Sequence, residues 1–160
     1  MGTPFHEIKT VPAMKAIGCR VDVSLWNVDT AFSRLYDKAL EHKLLFREPA
    51  LGIRREGLGM PDAFHADYEV LFPLAGEPEG QVPGAEFLDL PEQEMASFVH
   101  RGPYHWISCT YEKVLEWLRE NRYVVVGEPR EVFFVAPDPH SGGTQDDMLT
   151  EIQVPVRKAA

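Results

Sequence analysis

The sequence is poor in cysteine and has no long apolar run. Its two cysteines, Cys19 and Cys109, lie far apart inside periodic segments, so we expect buried free thiols in a reducing compartment rather than a disulfide framework. No apolar stretch reaches the length of a membrane span, and the N-terminus has no signal-peptide pattern. These absences predict a cytoplasmic protein without a membrane-embedded segment.

Basic residues are also few. Lys and Arg together number 16, against 25 Asp and Glu, which gives a formal net charge of −9. Nucleic acids and anionic membrane surfaces both require clustered positive charge, so neither is expected as a direct partner. The acidic balance is compatible with a cationic small molecule, although an acidic surface commonly serves solubility alone. Nothing in the sequence identifies a protein partner.

The chain lacks the usual motifs of metal, nucleophile and phosphate sites. Its six histidines form no H-E-x-x-H pattern, and its cysteines form no C-x-x-C pattern. There is no G-x-S-x-G nucleophile elbow, and the Gly-rich residues 140–143 are not accompanied by the Lys of a phosphate loop. We therefore predict neither a metal nor a cofactor.

What the sequence does contain is an internal repeat with a period of about 80 residues. Residues 68–74 (YEVLFPL) and 150–156 (TEIQVPV) are both strand-like, with Glu in second and Pro in sixth place. This period is too long for a solenoid, so we predict two copies of one unit within a single domain, residues 1–160, with repeats at about 5–74 and 86–156. Shorter matches keep the spacing: Val-Pro at 11–12 with Leu-Pro at 90–91, and Glu-Pro at 48–49 and 128–129.

Each repeat reads β-α-β-β. Hydrophobic spacing predicts helices over residues 26–45 and 104–121. Strands are predicted over residues 5–23, 50–55, 65–74, 86–101, 130–136 and 149–156, with proline breaks at Pro12 and Pro91. Strands joined by short loops pair antiparallel. The predicted fold is therefore α+β, with two β-α-β-β units in one antiparallel sheet, two helices on one face and a ligand cleft on the other.

Strand alternation selects candidate binding residues. Glu131 and Phe133 share one side of their strand, which we predict to be the helix-free side because Val132 and Phe134 favour helix packing. Glu151 is predicted on the same free side, since its neighbours in sequence favour the core. Two carboxylates beside an aromatic ring attract a cation, although solvated outer-face residues would produce the same pattern.

Aromatic residues form a second candidate group. Trp26 lies at the strand-to-helix turn of the first repeat, and Tyr104 and Trp106 lie at that of the second, while Tyr68 begins a strand of the first repeat. Aromatic walls with a few polar groups are typical of small-molecule pockets, so we predict that these four side chains line one. Core packing is instead predicted for Phe32, Tyr111 and Phe134.

The chain resembles the GyrI-like domain. The residues that carry the resemblance are 8–14 (IKTVPAM), 100–104 (HRGPY) followed by a helix ending in Trp117 and Leu118, 131–134 (EVFF) and 149–155 (LTEIQVP). It covers about residues 5–156 and implies a cleft for bulky, often cationic or amphipathic compounds, with Glu131 and Glu151 at the family's two recurrent acidic positions. Effector-binding domains of AraC-type and MerR-type multidrug regulators are similar. Because no helix-turn-helix precedes the first strand, we do not expect a transcription factor.

Three functions stay open on the sequence. The first is stand-alone binding of hydrophobic, amphipathic or cationic compounds, for xenobiotic sequestration or sensing. The second is a hydrolase of strained cyclopropane-type toxins, as the resemblance implies, in which Glu131 or Glu151 would polarise a water and Tyr104 would steady the leaving group. The third is a protein-interaction role like that of a DNA gyrase inhibitor. Binding without catalysis is the favoured hypothesis.

Overall fold

Prolines divide the first strand-forming region of each repeat into two strands. The computed structural model describes residues 6–22, 28–47, 49–55, 67–78, 80–135 and 148–160. Strands β1 (His6–Val11) and β2 (Met14–Asp22) flank Pro12, and β5 (Glu86–Leu90) and β6 (Gln93–Arg101) flank Pro91. Proline has no N–H to donate to a ladder and fixes its φ angle, so each strand ends there. Both predicted breaks are confirmed.

Two amphipathic helices follow these strand pairs. Helix α1 spans Val28–Glu41, and α2 spans Ile107–Glu120 after a single 3-10 turn, Tyr104–Trp106. The buried residues of α2 recur every three or four positions, which places them on one face of the helix. They are Ile107, Tyr111, Val114 and Leu118. The predicted helices are confirmed; α1 ends a few residues before its predicted end, and the predicted residues 26–27 lie outside the described residues. No described helix is both long and apolar enough to cross a membrane.

The remaining strands complete one antiparallel sheet. They are β3 (Leu51–Arg54), β4 (Asp67–Pro73), β7 (Tyr123–Val125), β8 (Arg130–Val135) and β9 (Leu149–Lys158). The strand order is β1-β6-β9-β8-β3-β4-β2-β5, and the short β7 pairs with β9 beside this path. Sequence reasoning missed β7, whose three residues are too few to show a periodic pattern.

The sheet has the pseudo-twofold symmetry that the repeat implies. If the strands of the two halves are exchanged, the strand order maps onto its own reverse, and β1 and β5 each pair with a strand of the other half. Two backbone hydrogen bonds are related in the same way, Arg54 N to Pro129 O and Phe133 N to Ala50 O, both 3.0 Å. The predicted α+β fold is confirmed. The two Glu-Pro pairs, however, lie one residue out of register, because Pro129 corresponds to Ala50.

Both helices lie on the same face of the sheet. Helix α1 packs on β2 and β4, where Leu35 joins a buried cluster with Ile17 and Val70. Helix α2 packs on β6 and β9, where Tyr111 joins a second cluster with Phe98 and Ile152. In the strand order, β8 and β3 lie between these two regions. The middle of the sheet therefore lies between the regions that the two helices cover.

The opposite face is not open at its centre. Its central side chains form a third buried apolar cluster, whose members are Ala16, Leu51, Ile53, Leu71 and Val132. Leu71 has no exposed surface and Leu51 is 2% exposed. The prediction that this face is left free is therefore wrong at the middle of the sheet.

Candidate functional site

Glu131 faces the helices, on the central strand β8. Its backbone lies opposite Gly52 of β3 and Ile152 of β9, and the Ile152 side chain packs under α2. Side chains of directly paired residues point to the same face, so Glu131 does too, and the prediction that it lies on the helix-free face is wrong. Alternation showed correctly that Glu131 and Phe133 share a side. It could not show which side, because Val132 packs into the apolar cluster of the other face.

Glu151 lies on the face opposite Glu131. It is 5% exposed, and its Oε2 accepts a hydrogen bond of 2.5 Å from Ser97 Oγ and forms an ion pair of 2.6 Å with Lys9 Nζ. The predicted pairing of Glu131 and Glu151 on one face is therefore wrong. Lys9 belongs to β1, the strand contributed by the other repeat, so the contacts of Glu151 join the two halves of the sheet.

Four donors converge on the Glu131 carboxylate, which is fully buried. Oε1 accepts hydrogen bonds from the hydroxyls of Tyr68, at 2.7 Å, and Tyr104. Oε2 accepts one from the hydroxyl of Tyr111 and one from Nε of Arg54, both at 2.5 Å. An ionised carboxylate has about four lone-pair sites. The hydrogen-bonding capacity of Glu131 is therefore filled by protein groups.

A glycine in β3 makes this convergence possible. Gly52 lies directly opposite Glu131, and a Cβ atom built on Gly52 would lie 1.9 Å from the hydroxyl oxygen of Tyr68. Because Gly52 has no side chain, the Tyr68 ring can cross over β3 from β4 and reach the carboxylate on β8. We call Arg54, Tyr68, Tyr104, Tyr111 and Glu131 the tyrosine–carboxylate cluster.

The charges within this cluster balance. Burial alone would raise the pKa of Glu131, but the Arg54 guanidinium and the hydroxyls of Tyr104 and Tyr111 lower it below its usual value. Burial would lower the pKa of Arg54, and the Glu131 carboxylate reverses this and raises it. Burial, and after it the negative charge of Glu131, raises the pKa of Tyr68, Tyr104 and Tyr111 well above the usual value. At neutral pH the cluster therefore holds one negative charge, one positive charge and three neutral phenols.

Aromatic side chains connect this cluster to the surface. Phe133 is half-buried, and its ring centroid lies 5.8 Å from that of Tyr104 and 5.6 Å from that of Phe32 on α1. These three rings, which we call the aromatic wall, come from both repeats and are all partly exposed. Trp106 is 58% exposed at the start of α2. Trp26, also predicted to line a pocket, lies outside the described residues.

Comparison with known proteins identifies the family. The sequence model of the GyrI-like small molecule binding domain matches residues 4–157. This chain belongs to the GyrI-like family. A search of curated proteins finds no match. Among solved structures, the C-terminal domain of EcmrR is similar over 98% of this chain and 99% of its own, with 18% identity and a TM-score of 0.80.

Other solved structures share the fold at low identity. EcmrR in a complex with DNA has a TM-score of 0.85 and 18% identity, and this GyrI-like chain spans 59% of its length. A hydrolase from Listeria innocua has a TM-score of 0.66 and 12% identity over 98% of this chain and 94% of its own. SAV2435 bound to tetraphenylphosphonium has a TM-score of 0.60 and 13% identity over 96% of this chain and 94% of its own.

Three members of the site in this GyrI-like domain were not found from the sequence. The position of Tyr111 on the apolar stripe of α2 predicts a core residue, and Tyr111 is indeed 1% exposed, but its hydroxyl reaches Glu131. Arg54 and Gly52 were not singled out. The available signal was a charged residue at the end of a short strand, directly after the apolar Ile53, because buried charges are nearly always paired.

The repeated glutamate of the first half, Glu69, has a different partner from its counterpart Glu151. It is fully buried on the helix-free face and accepts a hydrogen bond of 2.8 Å from Nε of Arg55. Burial, and after it a hydrogen bond with the Glu86 carboxyl, raises the pKa of Glu69 to about 7 against the opposing effect of Arg55. The two glutamates that revealed the repeat are therefore buried groups on the face opposite the tyrosine–carboxylate cluster.

Proposed function

We propose that this GyrI-like domain binds a bulky hydrophobic, amphipathic or cationic small molecule on the helix side of its sheet, against the aromatic wall and over the tyrosine–carboxylate cluster. The observation that carries the proposal is the convergence of three tyrosine hydroxyls from both halves on Glu131, at the centre of the sheet. Buried polar groups of this kind fix the orientation of a ligand, and aromatic surfaces supply most of its contact area.

The partial exposure of the wall supports this place over the opposite face. Phe32, Phe133 and Tyr104 are each partly exposed, whereas the apolar residues at the centre of the other face are buried. A ligand that stacks on these rings would remove apolar surface from water, which contributes roughly 25 cal/mol per Å² buried. The role we propose is therefore sequestration or sensing of such compounds.

Two adjacent phenylalanines provide a test. Phe133 belongs to the wall, whereas Phe134, at an irregularity in the pairing of β8 with β9, is 55% exposed. We expect isothermal titration with triphenylphosphine oxide and tetraphenylphosphonium to give at least one dissociation constant tighter than about 1 mM, the weak end of the useful range. Phe133→Ala should weaken that binding, and Phe134→Ala, the matched control, should leave it unchanged. Equal effects of the two substitutions would reject this location, once circular dichroism shows that both variants are folded.

Hydrolysis of a bound compound is the second candidate function. The direct hydrogen bond between Tyr104 and Glu131 supports it, because it joins the acid and base types that such a reaction requires. Against it, a general base normally has a raised pKa, and that of Glu131 is lowered. Mass analysis of each probe and of a strained cyclopropane compound after incubation would separate the two functions, since binding alone returns the compound intact.

A further inference from the structure

The tyrosine–carboxylate cluster already contains a cation. The Arg54 guanidinium donates to Glu131 at 2.5 Å, and its central carbon lies 4.8 Å from the centroid of the Tyr111 ring. A carboxylate beside an aromatic face is an environment that favours binding of a ligand cation. Here the protein's own side chain occupies it. Arg54 is 3% exposed, so this charge is not at the surface.

The remaining contacts keep Arg54 in place. Its second terminal nitrogen, Nη2, lies 3.4 Å from the hydroxyl of Tyr104, and its backbone is paired in β3 opposite Tyr68. A guanidinium cannot lose its proton in a protein. A ligand cation that approached Glu131 would therefore meet a fixed like charge, and it could replace Arg54 only by moving a buried charge elsewhere.

The guanidinium comes from one repeat only. The pseudo-twofold that exchanges the two backbone hydrogen bonds of β3 and β8 relates Arg54 to Phe133, and Gly52 to Glu131. One half therefore supplies the negative charge and an aromatic ring, and the other supplies the positive charge and the space for Tyr68. The two charges at the centre of the sheet therefore cancel because the two repeats carry different residues at equivalent positions.

We propose that Arg54 determines the charge selectivity of the site: it fills the position that a ligand cation would take, so that the domain binds uncharged aromatic compounds in preference to cationic ones. This inference rests on the proposed function, because it concerns the same site. It narrows the ligand class from bulky hydrophobic, amphipathic or cationic compounds to uncharged aromatic ones.

The test compares two probes of similar size and different charge. Tetraphenylphosphonium carries one positive charge, and triphenylphosphine oxide is neutral with a single strong acceptor oxygen. For the natural sequence we expect the oxide to bind about tenfold more tightly than the cation, because the Arg54–Glu131 pair is neutral overall and gives the cation no net attraction to offset the loss of its hydration. Arg54→Met, which removes the charge and keeps most of the length, should tighten binding of the cation by about tenfold and change binding of the oxide much less.

Two further variants show whether the charge of Arg54, rather than its shape, determines the preference between the two probes. Arg54→Lys preserves the charge and should retain the preference for the oxide, although it loses the planar fork. The double variant Arg54→Met/Glu131→Gln removes both charges and should bind the two probes with similar affinity. A preference of the natural sequence for tetraphenylphosphonium would overturn the inference, and this measurement needs no variant to fold. So would an unchanged ratio of the two affinities in a folded Arg54→Met protein.

The outcomes also separate this inference from the proposed function. If both probes bind and Phe133→Ala weakens them, but the cation is preferred, the site stands and the role of Arg54 is wrong. If neither probe binds to the natural sequence or to any folded variant, the proposed function itself fails and the inference fails with it.

Discussion

Substitutions of Arg54 and Glu131 should have strongly coupled effects on the free energy of unfolding, because the two side chains form a buried ion pair. Glu131→Gln leaves the guanidinium buried with no counter-charge, which typically costs about 3–5 kcal/mol. Arg54→Met should cost less, about 1.5–3 kcal/mol, because the carboxylate loses one charged hydrogen bond and keeps three tyrosine donors. The double variant leaves no unpaired charge. We expect it to cost less than the sum of the single changes by at least about 2 kcal/mol.

Equilibrium unfolding in urea at neutral pH measures this double-mutant cycle, with the free energy of unfolding taken from linear extrapolation. The Arg20–Asp67 ion pair is a matched control, because its contact distance is also 2.5 Å but its side chains are 51% and 42% exposed. Arg20→Met and Asp67→Asn should show a coupling below about 1 kcal/mol. A coupling near zero for Arg54 and Glu131, or one no larger than that of the control pair, would refute our account of the cluster.

Three other predictions concern single positions. Gly52→Ala should lower the free energy of unfolding by about 3 kcal/mol or more, because the new methyl group occupies the place of the Tyr68 hydroxyl. The pKa of Glu69 is raised in the folded state to about 7, so the folded protein binds a proton at this group more tightly than the unfolded chain does. The resulting stabilisation, at most about 3 kcal/mol, is fully present below the usual pKa of a glutamate and is lost as the pH rises to about 7. Glu69→Gln should flatten that part of the stability profile. Ser97→Ala should cost about 1–3 kcal/mol, because it removes a donor from buried Glu151.

The three predictions have separate controls. Truncating Tyr68 to Ala should make Gly52→Ala nearly harmless, and additive effects of the two changes would contradict the steric explanation. A stability profile that stays unchanged between pH 5 and 7 on mutation of Glu69 would contradict its raised pKa. Ser97→Cys keeps a similar volume with a weaker donor, so its free energy of unfolding should lie between that of the natural sequence and that of Ser97→Ala.

The fold could be predicted from the sequence because its signals are local or periodic. The repeat of strand residues at 68–74 and 150–156, the apolar stripe of α2 and the breaks at Pro12 and Pro91 each depend on a few neighbouring residues. Two copies of a unit that cannot bury its own apolar face must pack together. The antiparallel sheet and the two helices on one face follow from these signals alone.

The site could not be predicted to the same depth, because strand alternation does not say which face the helices cover. Both sides of β8 are apolar enough to be buried, with Val132 on one side and Phe133 on the other. The sequence predicts an outward-facing Glu131 because a buried carboxylate requires a partner, and its partner Arg54 is 77 residues away in the sequence. Phe134, predicted to lie in the core, is exposed because the strand pairing is irregular at this position, and no sequence pattern indicates that irregularity.

The position of a bound ligand tests the central claim most directly. A crystal structure of the protein with the tighter-binding of the two probes, triphenylphosphine oxide or tetraphenylphosphonium, would give that position. We predict that the phenyl rings contact Phe133 and Tyr104 on the helix side of the sheet, above Glu131. A probe bound instead to the opposite face, beside Glu151 and Gln153, would contradict this account.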